Sequence, residues 1–156
     1  MKEIKRFMLG MLIILCLIGS QGASDAIEVP GVTKDTILVG ALAPLTGPNT
    51  TSGVACRDGA QTYFDMINDA GGINGRKLKV IWEDDGCVPA KGVAAVRKLI
   101  ERDKVFALFG GVCSNALVAA LPLVEKANIL WFTANCATPA ITKPVNAINS
   151  FLPTAL

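Results

Sequence analysis

Three observations predict an α/β chain, a doubly wound parallel sheet with helices on both faces. Short apolar runs recur as strand candidates, helical patterns of apolar residues separate them, and each run ends in a loop of small polar residues. The clearest unit is Lys104 to Pro139, KVFALFGGVCSNALVAALPLVEKANILWFTANCATP. Val105 to Phe109 reads as a strand buried on both faces, Gly110 and Gly111 end it, and Ser114 stands at the expected helix N-cap. Ala116, Leu117, Ala120, Leu121 and Val124 follow at helical spacing. A helix opening there aims free N–H groups and its positive dipole end at the rim of the sheet, a place suited to a carboxylate.

The first residues read as a targeting segment. Lys2, Lys5 and Arg6 form a basic head, Phe7 to Ile18 an apolar core too short for an ordinary membrane span, and Gly19 to Ala26 a small-residue cleavage zone. Cleavage is expected after Ala26, with Gly22 and Ala23 as the other positions, so residues 1–26 read as a signal peptide and 27–156 as one domain, whose strand–helix alternation makes it a single lobe, the N-terminal part of a larger protein. Cys16 lies inside the apolar core, unlike a lipidated cysteine.

From there the chain runs in order. Thr36 to Ala43 has the β-branched, nearly continuous apolar character of a central strand. Pro44 to Gly53 is a polar loop and a ligand-contact candidate. From Val54 to Ala70, Ala60, Tyr63, Phe64 and Ile67 fall on one helical face; Gly71 and Gly72 close the helix, and Asn74-Gly75 forms a turn. Lys77 to Glu83 is a second strand, placed at the sheet edge by Lys77 and Lys79. Asp84 and Asp85 read as a solvated turn and helix cap rather than a metal or acid–base pair, and Pro89 opens a helix to about Arg102. Thr133 to Pro139 is another polar loop, and Ser150 begins what reads as a further strand.

Composition narrows the function classes. The net charge of +2 and the absence of a basic run argue against a nucleic-acid partner. The chain has no histidine, which removes Ser-His and Cys-His nucleophile pairs and the commonest metal ligand. No CxxC or G-x-S-x-G is present, so no enzyme, cofactor or metal is expected. Four cysteines follow the leader, Cys56, Cys87, Cys113 and Cys136. Export makes pairing the expectation, with three connectivities open. In a doubly wound sheet the loops 44–53, 84–88, 110–114 and 133–139 all open on the carboxyl edge, where ligands sit. Their chemistry suits holding a small polar molecule better than transforming one.

ILVGALAPLTGP, INDAGGINGRKL, EDDGCVP, FGGVCSNA and ILWFTANCATP, in this order and spacing, resemble the periplasmic solute-binding proteins of branched-chain amino acid ABC transporters, the type I periplasmic-binding fold. The resemblance covers Thr36 to about Leu156. It implies two lobes closing on an amino acid or similar small solute and delivery to a membrane permease; a sensory ectodomain of the same fold is the alternative. It also implies a Cys87–Cys113 disulfide, with Cys56 and Cys136 left as a second candidate pair. Ser114 falls on the serine that helps bind the ligand α-carboxylate. The second polar loop implies contacts from Asn135, Ala137 and Thr138. Ser52 replaces the aromatic of the branched-chain binders and Ala137 a threonine hydroxyl, so the implied ligands extend to other amino acids, amides, urea and small carboxylates.

Overall fold

A computed structural model describes residues 28–133, 136, 138, 150 and 151. The expected leader, Asn135 and Ala137 lie outside the described residues. The elements are β1 (Thr36–Ala43), α1 (Thr50–Asp69), β2 (Lys77–Asp84), α2 (Pro89–Arg97), a π-helical turn (Lys98–Arg102), β3 (Ala107–Gly110), α3 (Ser114–Ala127), β4 (Trp131–Thr133) and β5 (Ser150–Phe151). The sheet is parallel, in the order β2-β1-β3-β4-β5. β2 therefore lies at the edge, as its lysines predict.

Alternation along the strands divides the side chains between two faces. On one, Leu42, Leu108 and Trp131 pack against Val96 and Leu99, and against Leu117, Ala120, Leu121 and Val124 of α3. Helices α2 and α3 approach closely because Gly92 has no side chain; a Cβ there would lie 3.0 Å from the Cβ and the carbonyl oxygen of Ala116. Pro89 occupies the first turn of α2, where its missing N–H costs nothing. The helix expected to reach Arg102 changes to a π-helical turn from Lys98, and Lys98 in that turn pairs with Glu83 and Asp103.

Helix α1 packs on the other face, over β1 and β2, so the expected helices on both faces are present, while Phe132 of β4 stays exposed there. Phe109 stands nearly perpendicular to both Phe64 and Trp82, at 5.8 and 6.4 Å between ring centroids, and Trp82 Nε1 donates to Gln61 at 3.1 Å. The expected apolar face of α1 is narrower than predicted. Phe64 and Ile67 are half-buried, but Tyr63 is 57% exposed. Two glycines in the left-handed region end the helix, with Gly72 N bonded to Ile67 O at 2.9 Å.

The chain leaves β1 for β2 on one side and returns to place β3 on the other. This reversal of strand order falls between β1 and β3. A crevice is expected beyond their carboxyl ends, between the starts of α1 and α3.

Candidate ligand-binding site

The loops at this edge are tied together by Asp84, the last residue of β2. Its Oδ1 accepts from the amides of Leu45, Thr46 and Gly86 at 2.8, 3.1 and 2.9 Å, and its Oδ2 accepts from the Thr46 hydroxyl. The loop after β1 is thereby fastened to the loop after β2. Burial pushes the Asp84 carboxyl up, but these hydrogen bonds outweigh it and hold it below the usual carboxylate range.

Asp85 corrects the sequence reading of a solvated pair. It is wholly buried, its Oδ1 accepts from the Cys87 amide at 2.8 Å, and its backbone oxygen accepts from Val88 at the same distance. Burial pushes its carboxyl up, and the neighbouring Asp84 charge adds to this against the Cys87 hydrogen bond. The two acids should therefore show opposite linkage. Asp84, with a lowered folded value, stabilises the fold above the unfolded carboxylate range of about 4, and this is lost as pH falls through the folded value. Asp85, with a raised one, favours the fold at low pH and costs stability as pH rises through its folded value. Urea unfolding of D84N and D85N across acid pH should show D84N losing the parent's gain with rising pH and D85N gaining relative to the parent. Parallel profiles for the two variants would contradict the assignment.

Cys87 and Cys113 form a disulfide, with Cα atoms 5.2 Å apart, joining the loop after β2 to the start of α3. Asn49, just ahead of α1, lays its side-chain amide 3.3 Å from the Cys87 sulfur and 3.5 Å from that of Cys113. Asn115 donates its side-chain amide to Cys87 O at 3.0 Å. The starts of α1, α2 and α3 thus meet around one disulfide.

Ser114 is half-buried and is the first residue of α3 rather than its N-cap; Cys113 takes the cap position, with no side-chain capping bond. The Ser114 hydroxyl accepts from the Cys136 thiol at 3.1 Å, which brings the loop after β4 to the same helix start. That contact also bears on the expected second disulfide. Cys56 and Cys136 are both unbonded thiols, because Cys136 is buried against Ser114 while Cys56 lies half-buried within α1. Burial pushes the Cys56 thiol up.

Ser52 is exposed, but it sits in the first turn of α1, not in a loop. It follows three residues after Asn49, which touches the disulfide. Thr138 is half-buried. Sequence reasoning missed Asn49, Asp84 and Asn115 as organisers of the site. Asn49 and Asp84 lie in loops, 44–53 and 84–88, that the sequence placed at the ligand edge, but nothing in the sequence singled out these side chains.

A family described as periplasmic binding protein matches residues 36–155. The chain belongs to this family. It is 35% identical over 107 residues to an amino acid binding protein of Pseudomonas aeruginosa, covering 69% of this chain and 29% of that protein. It is 36% identical over 111 residues to a leucine-, isoleucine-, valine-, threonine- and alanine-binding protein of the same organism, covering 71% of this chain and 30% of that one. Among solved structures it resembles the branched-chain amino acid transporter substrate-binding protein LivJ of Streptococcus pneumoniae in complex with isoleucine, with a TM-score of 0.65, 30% identity, and coverage of 67% of this chain and 30% of that one. A solute-binding protein of Rhodopseudomonas palustris in complex with 3,4-dihydroxybenzoic acid gives a TM-score of 0.58 at 30% identity, over 64% of this chain and 27% of that one. The chain thus spans about 30% of the length of these relatives.

Proposed function

We propose that this chain is the ligand-contacting N-terminal lobe of an exported solute-binding protein of an ABC uptake system. Residues 1–26 direct export to the periplasm, and the lobe closes with a second one on an amino acid, branched-chain or related, or on a small amide or carboxylate. The loaded protein delivers its ligand to a membrane permease. What supports the reading is the meeting of three helix starts around the Cys87–Cys113 disulfide at the carboxyl edge of the sheet, with Cys136 reaching Ser114 beside it. The relatives bind amino acids by their names, and the matched segment is only about 30% of their length, which leaves room for a second lobe.

In this reading the first-turn amides of α3 and the Ser114 hydroxyl take the ligand carboxylate. Because the Cys136 thiol is placed to donate to Ser114 Oγ, the serine keeps its own proton to donate outward. Ser52 contributes from α1, and Asn135, Ala137 and Thr138 complete the cradle from the loop after β4. The chemistry is binding without bond making, and closure of two lobes supplies the affinity that one lobe lacks.

Amide chemical shifts of the chain, titrated with isoleucine and with a panel of other amino acids and amides, test this. The expected result is weak, millimolar-range binding with shifts centred on Ser52, Ser114 and Asn115, and loss of those shifts in S114A. Tight binding by this chain alone, or shifts confined to the opposite end of the sheet, would overturn the two-lobed assignment.

A further inference from the structure

We propose that the reduced form of this protein carries a site for a thiophilic divalent cation of the zinc class, built from Cys87, Cys113 and Asp85. The two sulfurs and a carboxylate oxygen of Asp85 all lie within 4.8 Å of one another. Tetrahedral zinc, with Zn–S near 2.3 Å and Zn–O near 2.1 Å, places its ligand atoms roughly 3.5–3.8 Å apart. Once the S–S bond is broken the two sulfurs must therefore part by about 1.7 Å, which rotation of the two side chains on Cα atoms 5.2 Å apart can supply.

The second observation is the carboxylate itself. Asp85 is wholly buried, and its Oδ2 has no hydrogen-bond partner among the described residues, while Oδ1 is held by the Cys87 amide. A buried, unpaired carboxylate oxygen is costly, and a cation placed between it and two thiolates would satisfy it. Two thiolates with one carboxylate suit zinc better than a hard cation. The fourth position is open to a water or to the side-chain oxygen of Asn49, whose amide already lies 3.3 and 3.5 Å from the sulfurs and presents its oxygen after a half-turn.

The disulfide and the metal exclude each other. In the oxidised chain the sulfur electrons that would bind the metal as thiolates are held in the S–S bond. A dithiol reductant delivers two electrons, the S–S bond breaks, Cys87 and Cys113 become thiols, and the reductant leaves as its own disulfide. Metal binding then displaces the two thiol protons to solvent. Reoxidation of the pair by a disulfide oxidant expels the cation.

The test uses the full chain with C16A, C56A and C136A, so that no other thiol competes, either oxidised or reduced with a phosphine. Cobalt(II) serves as the spectroscopic probe. The reduced chain should take one equivalent and develop a thiolate-to-cobalt charge-transfer band with tetrahedral d–d bands, and the oxidised chain should not. D85N in the reduced form should bind cobalt weaker by on the order of tenfold or more. Zinc should also raise the unfolding midpoint of the reduced chain and leave the oxidised one unchanged, a readout that stands even if D85N fails to fold. Absence of the bands after reduction, equal binding by the oxidised chain, undiminished binding by folded D85N, or a zinc-independent midpoint of the reduced chain would overturn the proposal.

Discussion

Replacing Cys87 and Cys113 together with alanine should lower the unfolding free energy by about 3.5 kcal/mol, the chain-entropy value for a closed loop of this length. The bridge spans 26 positions and encloses α2, the π-helical turn and β3, so the unfolded chain regains much freedom when it is cut. The folded state changes less, because α2 and α3 still pack through Gly92 and Ala116, and Asn115 still reaches Cys87 O through the backbone of residue 87. Urea unfolding of the oxidised parent and the double variant would measure the loss. Amide exchange should also quicken first at Ser114 and Asn115, where the bridge fastens the start of α3. An unchanged urea midpoint would mean that the bridge contributes nothing to the fold.

Much of this architecture is legible in the sequence because it rests on local rules. The apolar runs of β1 and β3, the glycine pair after α1 and Pro89 at the start of α2 each signal their element through burial, φ or a missing N–H. What the sequence conceals depends on contacts between distant segments. Gly53 reads as a loop glycine among Thr, Ser and Pro, yet it lies inside α1. It is glycine because α1 crosses the end of β1, where a Cβ would sit 2.1 Å from Pro44 O. Ser52, the residue before it, belongs to the same helix rather than to a loop.

The acidic pair shows the same limit more sharply. Adjacent carboxylates in a turn are ordinarily solvated, but Asp84 gathers four donors from two loops and Asp85 is sealed beneath the disulfide. Neither role has a sequence period or a spacing. The Cys87–Cys113 pairing was equally invisible to spacing, since four cysteines leave three connectivities open; the family resemblance selected it. The candidate second pair fails because the Cys136 thiol is directed to Ser114, a contact that only the folded loop creates.

Gly110 is where a local rule and a tertiary one coincide, and valine there should be the most damaging single substitution at the site. Its φ is +85°, a region that a β-branched residue adopts only under strain of roughly 1–3 kcal/mol. A Cβ would also lie 2.4 Å from Leu42 O, the oxygen that accepts from Gly111 N, so relief requires moving β1 away from the β3–α3 turn. That overlap adds roughly 1–3 kcal/mol more. Gly75 separates the two contributions. Its φ is +80°, but nothing lies within 4 Å of where its Cβ would be, so G75V carries the strain without the collision. Urea unfolding should show G110V losing more stability than G75V by roughly the overlap cost. Tryptophan fluorescence should change only in G110V, because Trp131 Nε1 donates to the Gly110 carbonyl at 3.2 Å. Equal losses in the two variants would show that β1 and the turn yield freely. The start of α3, and with it Ser114, would then be held far less rigidly than the packing around Leu42 implies.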